Sequence, residues 1–184
     1  MKENFEEIVA FVLKHEGYKS NHPDDPGGLT IWGFSQKYYP EIVKELSSLN
    51  ERTSYHVAGD FYRRLFWDKL HCDDIPAPLD CVLFDTAVNV GIGRAVKLLQ
   101  EVLGILGCDI EVDGIIGPKT LDCINKISDD PLILTLCYIG ERLNHYRTLD
   151  NFKVFGKGWV RRVADLCWFV VYLMHKRNWN ENYK

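Results

Sequence analysis

Glu16, Asp25 and Thr30 are the residues of this 184-residue chain whose types and spacing could do chemistry together. Two carboxylates nine positions apart suit the cleavage of a glycosidic bond. One carboxyl protonates the leaving oxygen, while the other orients water or stabilises the oxocarbenium-like transition state. Thr30, five positions beyond Asp25, could hold that water. No Ser-His-Asp or Cys-His pattern is comparably organised, and His15 and His22 read as polar surface groups.

These groups need elements to position them. Phe5, Ile8, Val9, Val12 and Leu13 repeat at helical spacing, and the stripe continues onto Glu16. Asn4 with Glu7 three residues later resembles a capping box at the start, and Gly17 stops the helix. A carboxyl at such a helix end, turned to the core, is favoured in its protonated form by partial desolvation and by the helix dipole, as a proton donor requires. The periodicity is equally compatible with a helix-end glutamate turned to water.

Residues 18 to 33 are not helical, because Pro23, Pro26 and Gly27-Gly28 punctuate them. Short β-ribbon segments are expected around Tyr18 and across Thr30-Ile31-Trp32-Gly33. Exposed Tyr18 and Trp32 beside carboxylates would suit a sugar-binding cleft; the alternative is a pair of half-buried aromatics. Asn21, Asp24 and Asp25 lack the residue order of a calcium loop, so no metal and no cofactor is expected.

Beyond the ribbon the periodicity predicts helices almost throughout. One covers 34–46, interrupted by Pro40, and another covers 54–70. A long apolar segment over 79–103 is split at Gly91-Ile92-Gly93 and should be central and buried. It carries Asp85 and Asn89 four positions apart, either as anchors for a loop or as the floor of a cleft. Asp113-Gly114 is a turn, and Pro118 opens a helix to Ile127. Helices over 131–147 and 159–175 follow, with a loop over 151–158 between them.

The net charge of −4 provides no basic surplus of the kind nucleic-acid binders carry. No secretory h-region follows the acidic start. The longest apolar run, Leu166 to Met174, is far short of the ~20 residues a spanning helix needs and reads as a buried terminal helix. Six cysteines form no Cys-x-x-Cys pattern and read as reduced core residues, not zinc ligands.

Glu16-Gly17-Tyr18, followed by Asn21-x-Pro23-x-Asp25-Pro26-Gly27-Gly28-x-Thr30-x-x-Gly33, resembles the signature of glycoside hydrolase family 108, the N-acetylmuramidases. The family pattern has a second Gly before the Tyr and an Asn where this chain has Ile31. Phe61 to Asp68, Phe84-Asp85-x-Ala87-Val88-Asn89-x-Gly91, Leu98-Leu99-Gln100 with Asp113 to Leu121, and Gly158-Trp159-x-x-Arg162 resemble later family motifs, in order.

The resemblance implies a mostly α, lysozyme-like α+β fold, with a small β-ribbon next to the active site and a large helical lobe. It implies a catalytic region over 1–92 and a predicted peptidoglycan-binding region over 93–184, in one compact unit. The implied reaction is hydrolysis of the β-1,4 link from N-acetylmuramic acid to N-acetylglucosamine. Glu16 is then the general acid, Asp25 and Thr30 are catalytic partners, and Tyr18, Trp32, Asp85 and Asn89 bind substrate. The implied partner is the peptidoglycan glycan strand, met by a monomer that is made in the cytoplasm without a signal peptide. It would reach the wall by holin-type or other release, in phage lysis or in wall editing for secretion. A lytic transglycosylase and a non-catalytic peptidoglycan-binding module on the same fold are the alternatives.

Overall fold

The stripe from Phe5 to Leu13 forms helix α1 (Lys2–Glu16), and all five of its apolar residues are buried. Each such side chain contributes roughly 1.5–3 kcal/mol by leaving water. The computed structural model describes residues 2–21, 28–127 and 131–182. The helix starts before Asn4, so Asn4 is a buried residue of the first turn and not the expected cap. Gly17 donates its backbone N–H to the Leu13 carbonyl at 3.0 Å, and the helix ends there.

Three short strands follow: β1 (Lys19–Ser20), β2 (Thr30–Ile31) and β3 (Phe34–Ser35), antiparallel in that order. Lys19 faces Ile31 and Ser20 faces Thr30. Thr30 faces Ser35 and Ile31 faces Phe34. The β2–β3 connection is therefore the two residues Trp32 and Gly33, with φ of 49° and 83°. A type I′ hairpin turn needs positive φ at both central positions. Ile31 and Phe34 point into the core, each 1% exposed.

Helix α2 (Pro40–Ser47) begins at Pro40. The proline opens the helix where it was expected to interrupt one, because its fixed φ and missing N–H suit a first helical position. Helix α3 (Glu51–Tyr62) is capped by Asn50, whose side chain accepts the Thr53 N–H at 3.0 Å. It widens into a π-helical turn over Arg63–Trp67, closed by the Asp68 N–H on the Arg63 carbonyl at 2.9 Å. These elements make up the unit Met1–Lys69.

The second unit, Leu70–Lys184, is helical. Helix α4 (Leu79–Val90) is buried at every position from Leu79 to Ala87, the central placement its hydrophobicity predicts. Gly91, at φ 85°, ends α4 and starts α5 (Ile92–Ile105). Helix α6 (Pro118–Ile127) starts at its proline as expected. Helix α7 (Pro131–Arg147) lies against α4 and α5, and α8 (Phe152–Asn182) lies against α7.

Helix α8 starts seven residues before the expected 159, so residues 152–158 are helical and not a loop. The rings of Phe152 and Phe155 gather on Trp159, with centroids 6.4 and 6.1 Å away, which supports that added turn. The apolar run expected to be buried is only half buried. Leu166, Val170 and Leu173 are inside, while Trp168, Val171 and Tyr172 are exposed. Gln100 clasps the turn before α6: its amide N–H groups reach Asp113 Oδ1 at 2.7 Å and the Ile115 carbonyl at 3.1 Å. Its carbonyl accepts the Gly114 N–H at 2.8 Å. Among the described residues, no helix is long and apolar enough to cross a membrane.

Candidate active site

Glu16 is the last residue of α1, half-buried, where the core stripe runs out. The β2–β3 turn comes up against it. A β-carbon built on Gly33 would lie 2.9 Å from both Cγ and Oε2 of Glu16 and would occupy the place of the Tyr62 hydroxyl. Only a residue without a side chain lets the hairpin, the carboxylate and Tyr62 approach this closely, and the positive φ demands the same residue.

Trp32 is the other half of that turn. A bulky residue at positive φ is strained and persists only where its surroundings over-determine it. Three hydrogen bonds do so here. The indole N–H donates to Ser54 Oγ at 2.9 Å, the backbone N–H donates to the Tyr18 carbonyl at 2.8 Å, and the Tyr62 hydroxyl donates to the Trp32 carbonyl at 2.9 Å. Glu16, the turn and α3 are thus tied together within the first unit.

The aromatic platform differs from the expected one. Trp32 is 8% exposed, not open to solvent, because Tyr18 and Tyr55 pack on it with ring centroids 5.1 and 5.3 Å away. Tyr18 is half-buried and keeps part of its surface. An open cavity of about 430 Å³ is lined by Trp32, Glu51, Arg52, Tyr55 and His56. The four residues from α3 escaped the sequence reading. Their spacing at i, i+1, i+4 and i+5 on one helix was the available signal.

Thr30 is half-exposed on β2, on the face opposite to buried Ile31, and its hydroxyl bonds to no described residue. Asp25 lies outside the described residues.

In the second unit, Asp85 has no accessible surface. Its Oδ2 accepts from Arg142 Nη1 at 2.7 Å, and its Oδ1 accepts from Arg162 Nε and Nη2 at 3.0 and 2.8 Å. Burial alone would push this carboxyl up. The two guanidinium charges and their hydrogen bonds outweigh it and hold the carboxyl below the usual carboxylate range. Asp85 is therefore an internal anchor joining α4, α7 and α8, and it has no surface with which to touch a sugar. Sequence reasoning singled out Arg162 within a motif but not Arg142. A carboxylate inside an apolar helix was itself the sign that a buried cation had to exist. Asn89, one turn on, is half-buried and accepts a hydrogen bond from the Tyr146 hydroxyl.

The family model described as Glycosyl hydrolase 108 matches residues 9–91, and the one described as Predicted Peptidoglycan domain matches residues 94–164. The first span thus extends through α4, into the second structural unit. Among solved structures the chain is similar to Brucella abortus SagA. The identity is 31% and the TM-score 0.73, over 94% of this chain and 96% of that one. No curated protein matches the chain. The mostly helical fold, the antiparallel ribbon against a helix-end glutamate and the two matched spans agree: the chain belongs to the glycosyl hydrolase 108 family, with a predicted peptidoglycan domain in its C-terminal part.

Proposed function

We propose that the protein is an N-acetylmuramidase that hydrolyses the β-1,4 bond from N-acetylmuramic acid to N-acetylglucosamine in peptidoglycan. Glu16 is the general acid that protonates the leaving glycosidic oxygen. The observation that carries this reading is the carboxylate held at the end of α1 against the glycine of a strained hairpin turn. That arrangement fixes a proton donor's position without using an added side chain.

Thr30, with a hydroxyl that bonds to no described residue, is suited to hold the attacking water. Asp25 is assigned as the second carboxyl from its place in the motif alone. Tyr18 and the cavity beside Trp32 and Tyr55 supply the apolar surface that a pyranose face packs on. The half-buried amide of Asn89 contacts the glycan strand. The catalytic region spans 1–92 and the peptidoglycan-binding region 93–184. The protein works as a monomer on the cell wall, in lysis or in wall editing for secretion, after release from the cytoplasm.

Glu16→Gln keeps the shape and removes the transferable proton. Release of reducing ends from purified peptidoglycan should fall by at least ~10²–10⁴-fold, the usual contribution of a general acid. The circular dichroism and denaturation midpoint should stay unchanged. Full lysis by this variant would refute the assignment. Mass spectrometry of the fragments separates the chemistries: a reducing muramic end means hydrolysis, and an anhydro end means a transglycosylase.

A further inference from the structure

A directional hydrogen-bond chain ends on Asn89. Arg142 is fully buried on α7, and its Nη1 is fixed on Asp85. Its Nε sits 2.7 Å from the Tyr146 hydroxyl oxygen. A guanidinium nitrogen can only donate, so the phenolic oxygen accepts. Tyr146 has one hydrogen left to give, and the group in line is the side-chain amide of Asn89. That hydrogen requires the amide oxygen to face Tyr146. Turning the amide over would leave a hydroxyl hydrogen without an acceptor inside the protein. Oδ1 is therefore the inner atom and Nδ2 the outer one. Asn89 Nδ2 bonds to no described residue, and it is not among the buried polar atoms that lack a partner, so it reaches solvent.

The arrangement satisfies the hydroxyl of buried Tyr146 and in doing so fixes which atom of the amide faces outward. A half-buried asparagine with a solvated amide would rotate freely, yet here its orientation is set by a buried tyrosine, a buried arginine and a buried aspartate in series. Asp85 holds Arg142, Arg142 polarises Tyr146, and Tyr146 fixes Asn89.

We propose that Asn89 Nδ2 is a preoriented donor to a neutral oxygen acceptor of the glycan strand, of which the N-acetyl carbonyl is the strongest, and that Tyr146 is the positioning residue that aims it. This rests on the muramidase reading above and names the group through which the second unit holds its substrate.

Asn89→Asp tests it in the full-length protein with soluble peptidoglycan oligomers. The aspartate still accepts from Tyr146, so the denaturation midpoint should hold. It offers no outward N–H, so KM should rise about tenfold, the loss of one hydrogen bond to a ligand, with kcat within about twofold. Tyr146→Phe should raise KM in the same sense, and the double variant should be no worse than Asn89→Asp, since both act on one donor. Should Tyr146→Phe fail to fold, Asn89→Asp decides alone. A wild-type KM in Asn89→Asp, or a fall in kcat without a change in KM, overturns the proposal. If the wild-type protein binds the oligomers without turnover, Kd replaces KM with the same expected tenfold shift. A wild-type protein that neither cleaves nor binds them would overturn the muramidase reading itself, and that result is read before any variant is compared.

Discussion

Replacing Gly33 by alanine adds one methyl group at the point where the hairpin meets Glu16. The new carbon would stand 2.9 Å from Glu16 Cγ and Oε2, about 0.5 Å inside the 3.4 Å at which ordinary contact begins, and it would displace the Tyr62 hydroxyl. Two costs follow. A non-glycine residue held at φ 83° costs about 1–2 kcal/mol. Moving the Tyr62 hydroxyl breaks its bond to the Trp32 carbonyl, about 0.5–1.5 kcal/mol. Gly33→Ala should therefore lose about 1.5–3.5 kcal/mol, which urea denaturation followed by tryptophan fluorescence would measure. The carboxylate must also give way. Misplacing a catalytic group by ~1 Å can cost ~10²-fold, so turnover of the still-folded variant should drop on the order of 10- to 100-fold. The two readouts are separable, because turnover is compared at denaturant-free conditions where the variant is folded. An alanine variant with the wild-type midpoint and wild-type turnover would refute the geometry and, with it, the claim that Glu16 is held by this turn.

Asp85→Asn leaves two buried guanidiniums without a countercharge and should cost roughly 3–5 kcal/mol in chemical denaturation at pH 7. The wild-type contribution of this carboxylate depends on pH with a definite sign. Its folded-state ionisation lies below the unfolded value of ~3.9, so its stabilisation is complete above that value and is lost as pH falls through the folded one. The stability of Asp85→Asn should accordingly change less than wild type over the acid window, and parallel curves would count against the ion-pair account. Burial, with a hydrogen bond to Cys123, pushes the Cys108 thiol up to about 11. Little thiolate exists at neutral pH, so maleimide should label exposed Cys137 well before Cys108, as mass mapping of the adducts would show.

The local code of this chain is strong, and its failures are informative. The stripe from Phe5 to Leu13 specifies α1 and places Glu16 at its end because helical period and a following glycine act over neighbouring residues. Pro118 and the Gly91 break are legible for the same reason. Pro40 and residues 152–158 are less legible because a proline opens a helix as readily as it ends one, and because the rings of Phe152 and Phe155, stacked towards Trp159 along the same helix, offset the helix-weakening glycines at 156 and 158.

What the sequence determined by itself is the identity and order of the chemical groups. The carboxylate follows an apolar helix, the turn ends in glycine, and the buried aspartate recurs one turn before an asparagine. What only the tertiary structure decided is their company. Arg142 and Arg162 reach Asp85 across 57 and 77 residues, and no period or spacing encodes such a meeting. Trp32 is buried because Tyr18, from the segment before β1, and Ser54, Tyr55 and Tyr62, all on α3, close on it. Glu16 has its place because Gly33, the second residue of the hairpin turn, brings no side chain against it. Backbone preferences act on neighbours, while desolvation and hydrogen-bond partnership depend on which distant atoms the fold brings within ~3 Å.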